Sequence, residues 1–409
     1  MTRFWVGGYG QDMAGDAEGI GFLAADAGPA TLTYRGVAAP VASPSWLAQH
    51  PSLDIVYAGL EGAGAVQAFT RSGESSLQPL GPPLAAGDSV CHLAVSPDGR
   101  MLIASCYGDG RVVRFDIADH GRLVPAAPDK AAALRAALFG EPDAAPDARD
   151  ARDARYIPGA DTPDVGPIRG ERPASGVSAP DSSSASASAS AGAVGAAASD
   201  PYPTPAGEEP RASHAHAALF LPDGRIATTD LGFDLVRIWR PSGAGLTLDH
   251  EVVLPRGTGP RHMVLHPSGH LHVVTEYSCE VFTLASARDG RWGLVSATTV
   301  SPIAQVGFDF PAELAMSRDG HTLYTALRGS NTVSALRVKN GGEALEPFAL
   351  ADSGVDWPRH HLVHEGVLLV AGQRSSTISA IDLDERTGAP RDVRHTTSAP
   401  APTVILPAC

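Results

Sequence analysis

The chain has 409 residues, 43% hydrophobic and 19% charged, enough to bury a sizeable core in one large domain or several smaller ones. Its 31 Lys and Arg stand against 45 Asp and Glu, and this formal charge of −14 disfavours a nucleic-acid or anionic-membrane surface, so an anionic ligand would need a local cationic pocket. No apolar run approaches the roughly 18 residues of a membrane-spanning helix, and the amino terminus enters a strand-like segment with no basic and apolar leader, which predicts a cytoplasmic protein.

Strand-like segments at 4–9 and 20–24 open the chain. A weak copy of a repeated unit begins at Trp46, and a clear one follows at 92–117, HLAVSPDGRMLIASCYGDGRVVRFDI. It reads as an alternating strand, a Pro-Asp-Gly turn, a second apolar strand, a Gly-rich turn and a third alternating strand. The unit returns from His216, His262, Glu313 and Arg359. Taking the residue before the turn acid as a marker gives Pro51, Pro97, Pro222, Pro267, Arg318 and His364, spaced by 46, 125, 45, 51 and 46 residues. A period in the mid-forties, with three recognisable strands and room for a fourth, is that of a propeller blade. Six copies are internal, and the strand-like ends at 4–9, 20–24 and 403–406 supply a seventh. The prediction is therefore an all-β, seven-bladed β-propeller of four-stranded antiparallel blades. Its N- and C-terminal strands close the ring, residues 1–409 form a single domain, and a closed ring needs no partner, which predicts a monomer.

The outlying spacing marks an insertion at 125–212 rich in Ala, Asp, Pro, Ser and Arg. Asp129 is placed to cap a short helix at 130–139 that Gly140 stops. Beyond it, DAAPDARDARDAR and DSSSASASASAGAVGAAAS carry too few large apolar groups to offset ordering entropy, so disorder is expected.

In each hairpin the start of the first strand and the end of the second are neighbours. Five residues before the turn marker stand Trp46, His92, Ala217 with His216 before it, His262, Glu313 and Arg359. The second strands end on Tyr107, Asp230, Glu276, Arg328 and Gln373. Radial symmetry brings these polar ends together near a central channel, with His214 and Arg261 beside them. Imidazoles, carboxylates and guanidiniums in one pocket suit acid–base chemistry on an anionic substrate. Hydrogen bonding between adjacent blades is the structural alternative for the same residues. His266, His270, His272 and His364 read as turn or packing residues, and the five tryptophans as wedges between blades. The cysteines Cys91, Cys106, Cys279 and Cys409 show no zinc-module spacing and read as reduced thiols, Cys91 and Cys106 lying near each other in one hairpin. His214 and His216 would face one side of a strand, a conceivable metal pair, but no metal is assigned.

The run Gly259-Pro260-Arg261-His262-Met263-Val264-Leu265-His266-Pro267 followed by Thr275-Glu276, with Cys91-His92, His214-Ala215-His216, Pro358-Arg359 and Ala371-Gly372-Gln373, resembles the lactonase family of seven-bladed propellers, including the cycloisomerase-type 6-phosphogluconolactonases. The resemblance covers nearly everything except the insertion. It implies hydrolysis of a sugar lactone, typically 6-phosphogluconolactone to 6-phosphogluconate, without metal or cofactor. It also implies a pocket lined by His92, His216, Arg261, His262, Glu276, Arg328, Arg359 and Gln373, to which Tyr107, Asp230, His214 and Glu313 are added as binding residues. In that reading Glu276 or His262 activates water, Arg261 and Arg359 stabilise the oxyanion or hold a phosphate, and His92 or His216 donates a proton. The substrate is a small anionic or phosphorylated lactone. Two alternatives remain open: a lactone-forming cycloisomerase acting on a dicarboxylate, and a noncatalytic propeller that binds a protein or peptide.

Overall fold

The computed structural model describes residues 2–25, 28, 31–125, 199–205, 207–243 and 245–408, so most of the insertion, including the helix expected at 130–139, lies outside the described residues. Seven antiparallel sheets form the blades. Blade 1 is the closure: the C-terminal strand Pro402–Pro407 lies innermost, pairs with Thr2–Gly8, and is followed by Gly19–Ala25 and Thr33–Pro40. Blades 2 to 7 run outward in chain order from innermost strands Pro44–Gln49, Val90–Val95, Ala215–Phe220, Pro260–Leu265, Phe310–Met316 and Pro358–His364. Blade 2 adds a short fifth strand, Leu84–Ala85.

The hydrophobic patterning follows from each strand's place in its blade. Second strands such as Leu271–Thr275 are covered by both neighbouring blades and are buried throughout, whereas the outermost Trp292–Thr299 is exposed or half-buried beyond Trp292. The repeated turn is equally local in origin. Asp98 accepts the Ser96 hydroxyl at 2.6 Å and the Arg100 amide at 3.1 Å, while Gly99 takes φ of 70°, a left-handed conformation that suits glycine. The core consists of seven wedges, each built from two adjacent blades. Trp5, Trp239 and Trp292 lie in these wedges as expected.

Each innermost strand carries one extra residue at the same place in its ladder. Pro260 pairs Thr275 and His262 pairs Val274, leaving Arg261 as the bulge, and the corresponding residues are Ser45, Cys91, His216, Ala312, Arg359 and Thr403. A β-bulge turns two consecutive side chains in a new direction, and its sevenfold repetition surrounds one end of the channel with two rows of side chains.

Candidate active site at one end of the channel

The first row consists of the bulge residues together with the residue that follows each second strand. Those following residues are fixed by a shared backbone bond: the amides of Tyr9, Glu61, Tyr107, Leu231, Glu276 and Gln373 donate to the carbonyls of Ala401, Ser43, Ser89, His214, Gly259 and Trp357 at 2.8–3.1 Å. From this row Glu61, Cys91, Tyr107, His216, Arg261, Glu276, Arg328 and Arg359 line a narrow pocket.

Glu276 is its electrostatic centre. Its Oε2 lies 2.9 Å from Arg261 Nε and 2.8 Å from Arg328 Nη2. Burial alone would raise its pKa, but Arg328, Arg261 and Arg359 outweigh that and hold the carboxyl below its ordinary value. The clamp is anchored in blade 6: Arg261 Nη1 donates to the Ala312 carbonyl and Arg328 Nε to the Phe310 carbonyl at 3.0 Å. Arg328 also lies over Trp357, 5.4 Å from its ring centre. In the neighbouring blade 7 Arg359 donates to Gln373 Oε1 at 3.3 Å and lies 5.0 Å over the ring of Tyr9, whose hydroxyl donates to Glu61 Oε1 at 3.2 Å. His216 has a buried Nδ1 without a hydrogen-bond partner among the described residues. Burial and then the charges of Arg261 and Arg359 hold its pKa well below the ordinary value, so the ring is neutral at pH 7.

The second row, one residue further along each innermost strand, is Val404, Trp46, His92, Ala217, His262, Glu313 and His360. It does not line the pocket. His92, His262 and His360 each accept, at Nδ1, a backbone amide of the next blade: Ala218 and Leu314 at 3.3 Å and Ile405 at 3.4 Å. That bond places the ring proton on Nε2. Burial first, with neighbouring positive charge, depresses all three pKa values, that of His92 to about 3. His262, expected as base, and His92, expected as proton donor, thus lie outside the pocket lining, and their rings join adjacent blades. Trp46, expected as a wedge, fills the space among them, 4.3 Å from His92, 6.0 Å from His262 and 5.6 Å from His360. Glu313 also leaves the expected binding set: its Oε2 accepts the His361 amide at 3.0 Å and lies 3.3 Å from His360 Nε2, and burial raises its pKa to about 8.

Asp230 does not reach the pocket. The second strand of blade 4 ends so that Asp230 matches Thr275 and Leu231 matches Glu276. Fully buried, it pairs with Arg237 at 2.7 Å and accepts the amides of His214 and Phe233. His214 likewise stays outside the pocket lining, stacking on Tyr107 with ring centres 4.4 Å apart. Three site residues escaped the sequence reading: Tyr9, Glu61 and Cys91. Glu61 was detectable because it precedes Gly62 as Tyr107 precedes Gly108 and Arg328 precedes Gly329. Cys91 donates weakly to the His216 carbonyl at 3.4 Å, and burial raises its thiol pKa, which makes it a buried hydrophobe rather than a nucleophile. Cys91, Cys106 and Cys279 are free thiols. Among the described residues no group of three or more His, Cys, Asp or Glu side chains is placed to hold a metal ion.

A 6-phosphogluconolactonase of Bacillus subtilis is 22% identical over 416 residues, covering 99% of this chain and 98% of that protein. An uncharacterized protein of Lactococcus lactis is 29% identical over 204 residues, so the matched part spans 49% of this chain and only 60% of that relative. Among solved structures, the periplasmic gluconolactonase of Pseudomonas aeruginosa superposes with a TM-score of 0.74 at 18% identity, covering 100% of this chain and 99% of that one. A protein from Lactobacillus plantarum gives 0.74 at 20% identity, with 99% of each chain covered. These structural likenesses carry the fold. The model of the seven-bladed β-propeller lactonases matches residues 3–131 and 182–407, and with the blades, bulges and pocket above, the chain belongs to that family.

Proposed function

We propose that the chain hydrolyses a sugar lactone, of the 6-phosphogluconolactone type, to the open hydroxy acid. The observation that carries this is a set of three guanidiniums, Arg261 and Arg328 buried and Arg359 half-buried, against two carboxylates, Glu61 and Glu276, in one pocket. A lactone carbonyl acquires negative charge as water adds, and fixed guanidiniums in a dry site stabilise that oxyanion without reorganising. Arg261 and Arg328 are fixed by Glu276 and by blade 6 backbone, which gives Glu276 the role of positioning cations rather than taking protons. Arg359, outside that clamp, meets the substrate's own anionic group. His216 faces the same space as a neutral hydrogen-bonding group. When an anion lies between Arg261 and Arg359, their repulsion of a protonated His216 weakens and its pKa rises.

The route uses no metal or cofactor. A phosphorylated lactone does not cross membranes unaided, so the enzyme is placed in the compartment that makes its substrate, the cytoplasm. Among the described residues no helix is long and apolar enough to span a membrane.

The test is acid release in a pH-stat from freshly prepared 6-phosphogluconolactone and gluconolactone, with and without EDTA, after subtraction of spontaneous hydrolysis. Faster release from the phosphorylated lactone, unchanged by EDTA, is expected. Activity that EDTA abolishes overturns the metal-free route. No rate above background on either lactone overturns the assignment of substrate class and sends the search to muconolactones.

A further inference from the structure

We propose that Glu61 is the proton acceptor of the hydrolytic step, an inference that rests on the lactonase reading above. Glu61 follows Ile55–Leu60, the second strand of blade 2, at the place where Glu276 follows Leu271–Thr275 in blade 5. The same backbone bond fixes both, Glu61 amide to Ser43 carbonyl at 3.1 Å and Glu276 amide to Gly259 carbonyl at 2.8 Å. Blades 2 and 5 are three steps apart in a ring of seven, so the two carboxylates line one pocket from nearly opposite walls.

Their environments divide the labour. Glu276 Oε2 is held by two guanidiniums, and taking a proton would break the clamp that fixes the cations. Glu61, only 3% exposed, accepts one side-chain hydrogen bond, from the Tyr9 hydroxyl, and makes no ion pair among the described residues. Burying a carboxylate beside a single neutral donor is costly, and folding does not require it, because blade 4 fills the same position with Leu231. His216 is the competing base. Protonating it sets an imidazolium beside Arg261 and Arg359, whereas protonating Glu61 yields a neutral acid.

The step balances without a further reactant. Glu61 removes a proton from water as the water oxygen bonds to the lactone carbonyl carbon, and the carbonyl π pair moves onto its oxygen beside the guanidiniums. Collapse of the tetrahedral intermediate breaks the bond from that carbon to the ring oxygen, and Glu61 returns its proton to the departing oxygen. The product carboxylic acid then ionises, releasing the proton that a pH-stat titrates. Tyr9 is a positioning residue: its hydroxyl holds Glu61 Oε1, and its ring lies beneath Arg359.

The experiment is steady-state kinetics of the full chain on 6-phosphogluconolactone, with far-UV circular dichroism to check folding. Glu61→Gln is expected to lower kcat by about 10²–10⁴-fold with KM changed by less than about threefold, the signature of a lost proton acceptor. Glu276→Gln is expected to lower kcat by loosening the guanidiniums that meet the oxyanion, and formate does not restore activity in Glu276→Ala. Formate restores part of the lost kcat in Glu61→Ala, and Tyr9→Phe lowers kcat by about tenfold at unchanged KM. A folded Glu61→Gln with wild-type kcat overturns the role of Glu61 and leaves the lactonase reading standing, as does lost activity without formate rescue and with a raised KM. If Glu61→Gln fails to fold, Tyr9→Phe decides: wild-type kcat in that variant overturns the proposal. Wild-type protein inactive on every lactone overturns both readings.

Discussion

Arg261 and Arg359 occupy the same bulge position in blades 5 and 7, yet their surroundings differ. Arg261 is tied to Glu276 and to backbone of blade 6, whereas Arg359 rests on Tyr9 and Gln373. Removing Arg261 therefore disturbs the clamp, while removing Arg359 takes away the charge proposed above to meet the substrate's own anionic group. Arg359→Ala is expected to raise KM for 6-phosphogluconolactone by about 10–100-fold, the worth of one charge-assisted hydrogen bond of about 1.5–3 kcal/mol. KM for unphosphorylated gluconolactone changes little in the same variant. Parallel assays on the two substrates check this, and an equal loss on both assigns Arg359 to the carbonyl end instead.

The bulge and the loop before it form the element that makes the site, and they show how far the sequence is legible. Repeat period, Pro-Asp-Gly turns and apolar second strands depend on residues close in the chain, so seven blades and their closure follow from pattern alone. Register depends on single-residue differences between copies. The blade 7 turn at Glu365-Gly366 is one residue shorter than the others, so a fixed count back from the turn lands on Arg359, whose row is the bulge, instead of His360. In blade 4 the polar Asp230 is the last residue of its second strand, paired with Ala215 as Thr275 pairs with Pro260, so the pocket row falls on the apolar Leu231 that follows it. Pairing across the ladder, rather than spacing along the chain, decides which polar residue meets the pocket. The entering loops are strained for the same purpose: Ser43, Ser89, Trp357 and Ala401 all have positive φ just before their innermost strands. Gly259, at φ of 64°, occupies the equivalent place in blade 5, where a Cβ would come within 2.6 Å of the Tyr277 ring.

In blade 5 that loop is held by Asp234, which is 1% exposed and accepts the Gly257 amide at 2.9 Å, the Gly259 amide at 2.8 Å and the Thr258 hydroxyl at 3.2 Å. Arg211, stacked over Tyr202 and Phe233, pairs with the same carboxylate and fastens the chain after the insertion to the loop leading into Arg261. Asp234→Ala is expected to cost about 1–3 kcal/mol, because it leaves the Gly257 and Gly259 amides without their acceptor, while Arg211 keeps Asp200. A thermal melt measures the loss. A lowered kcat at temperatures where the variant is folded reports the loosened Arg261.

At the scale of the whole ring, the histidines that join blades make stability depend on pH. His92, His216, His262, His360 and His361 are buried with depressed pKa values, those of His92 and His361 at about 3 and 4. As pH falls below their ordinary 6.5, the unfolded chain binds protons that the folded ring refuses, and stability drops by up to about 1.4 kcal/mol per pH unit for each group. His360 belongs to this set at the closure, where its Nδ1 takes the amide of Ile405 in the C-terminal strand, so protonation loosens the seam between blades 7 and 1. Glu313 acts in the opposite direction. Its folded pKa near 8 lies above the ordinary 4.5, so between those values the folded ring keeps a proton that the unfolded chain has released, and stability falls as pH rises through that window. Below about pH 7 the five imidazoles outweigh the single carboxyl, and between about pH 7 and 8 Glu313 outweighs them. Denaturant unfolding at intervals from pH 5 to 8 is therefore expected to give a maximum near neutrality, with the steeper limb on the acid side. Glu313→Gln keeps an acceptor for the His361 amide and removes the titration, so the variant holds its stability from pH 7 to 8 while the wild type declines. Parallel declines in the two proteins would assign the alkaline limb to another group.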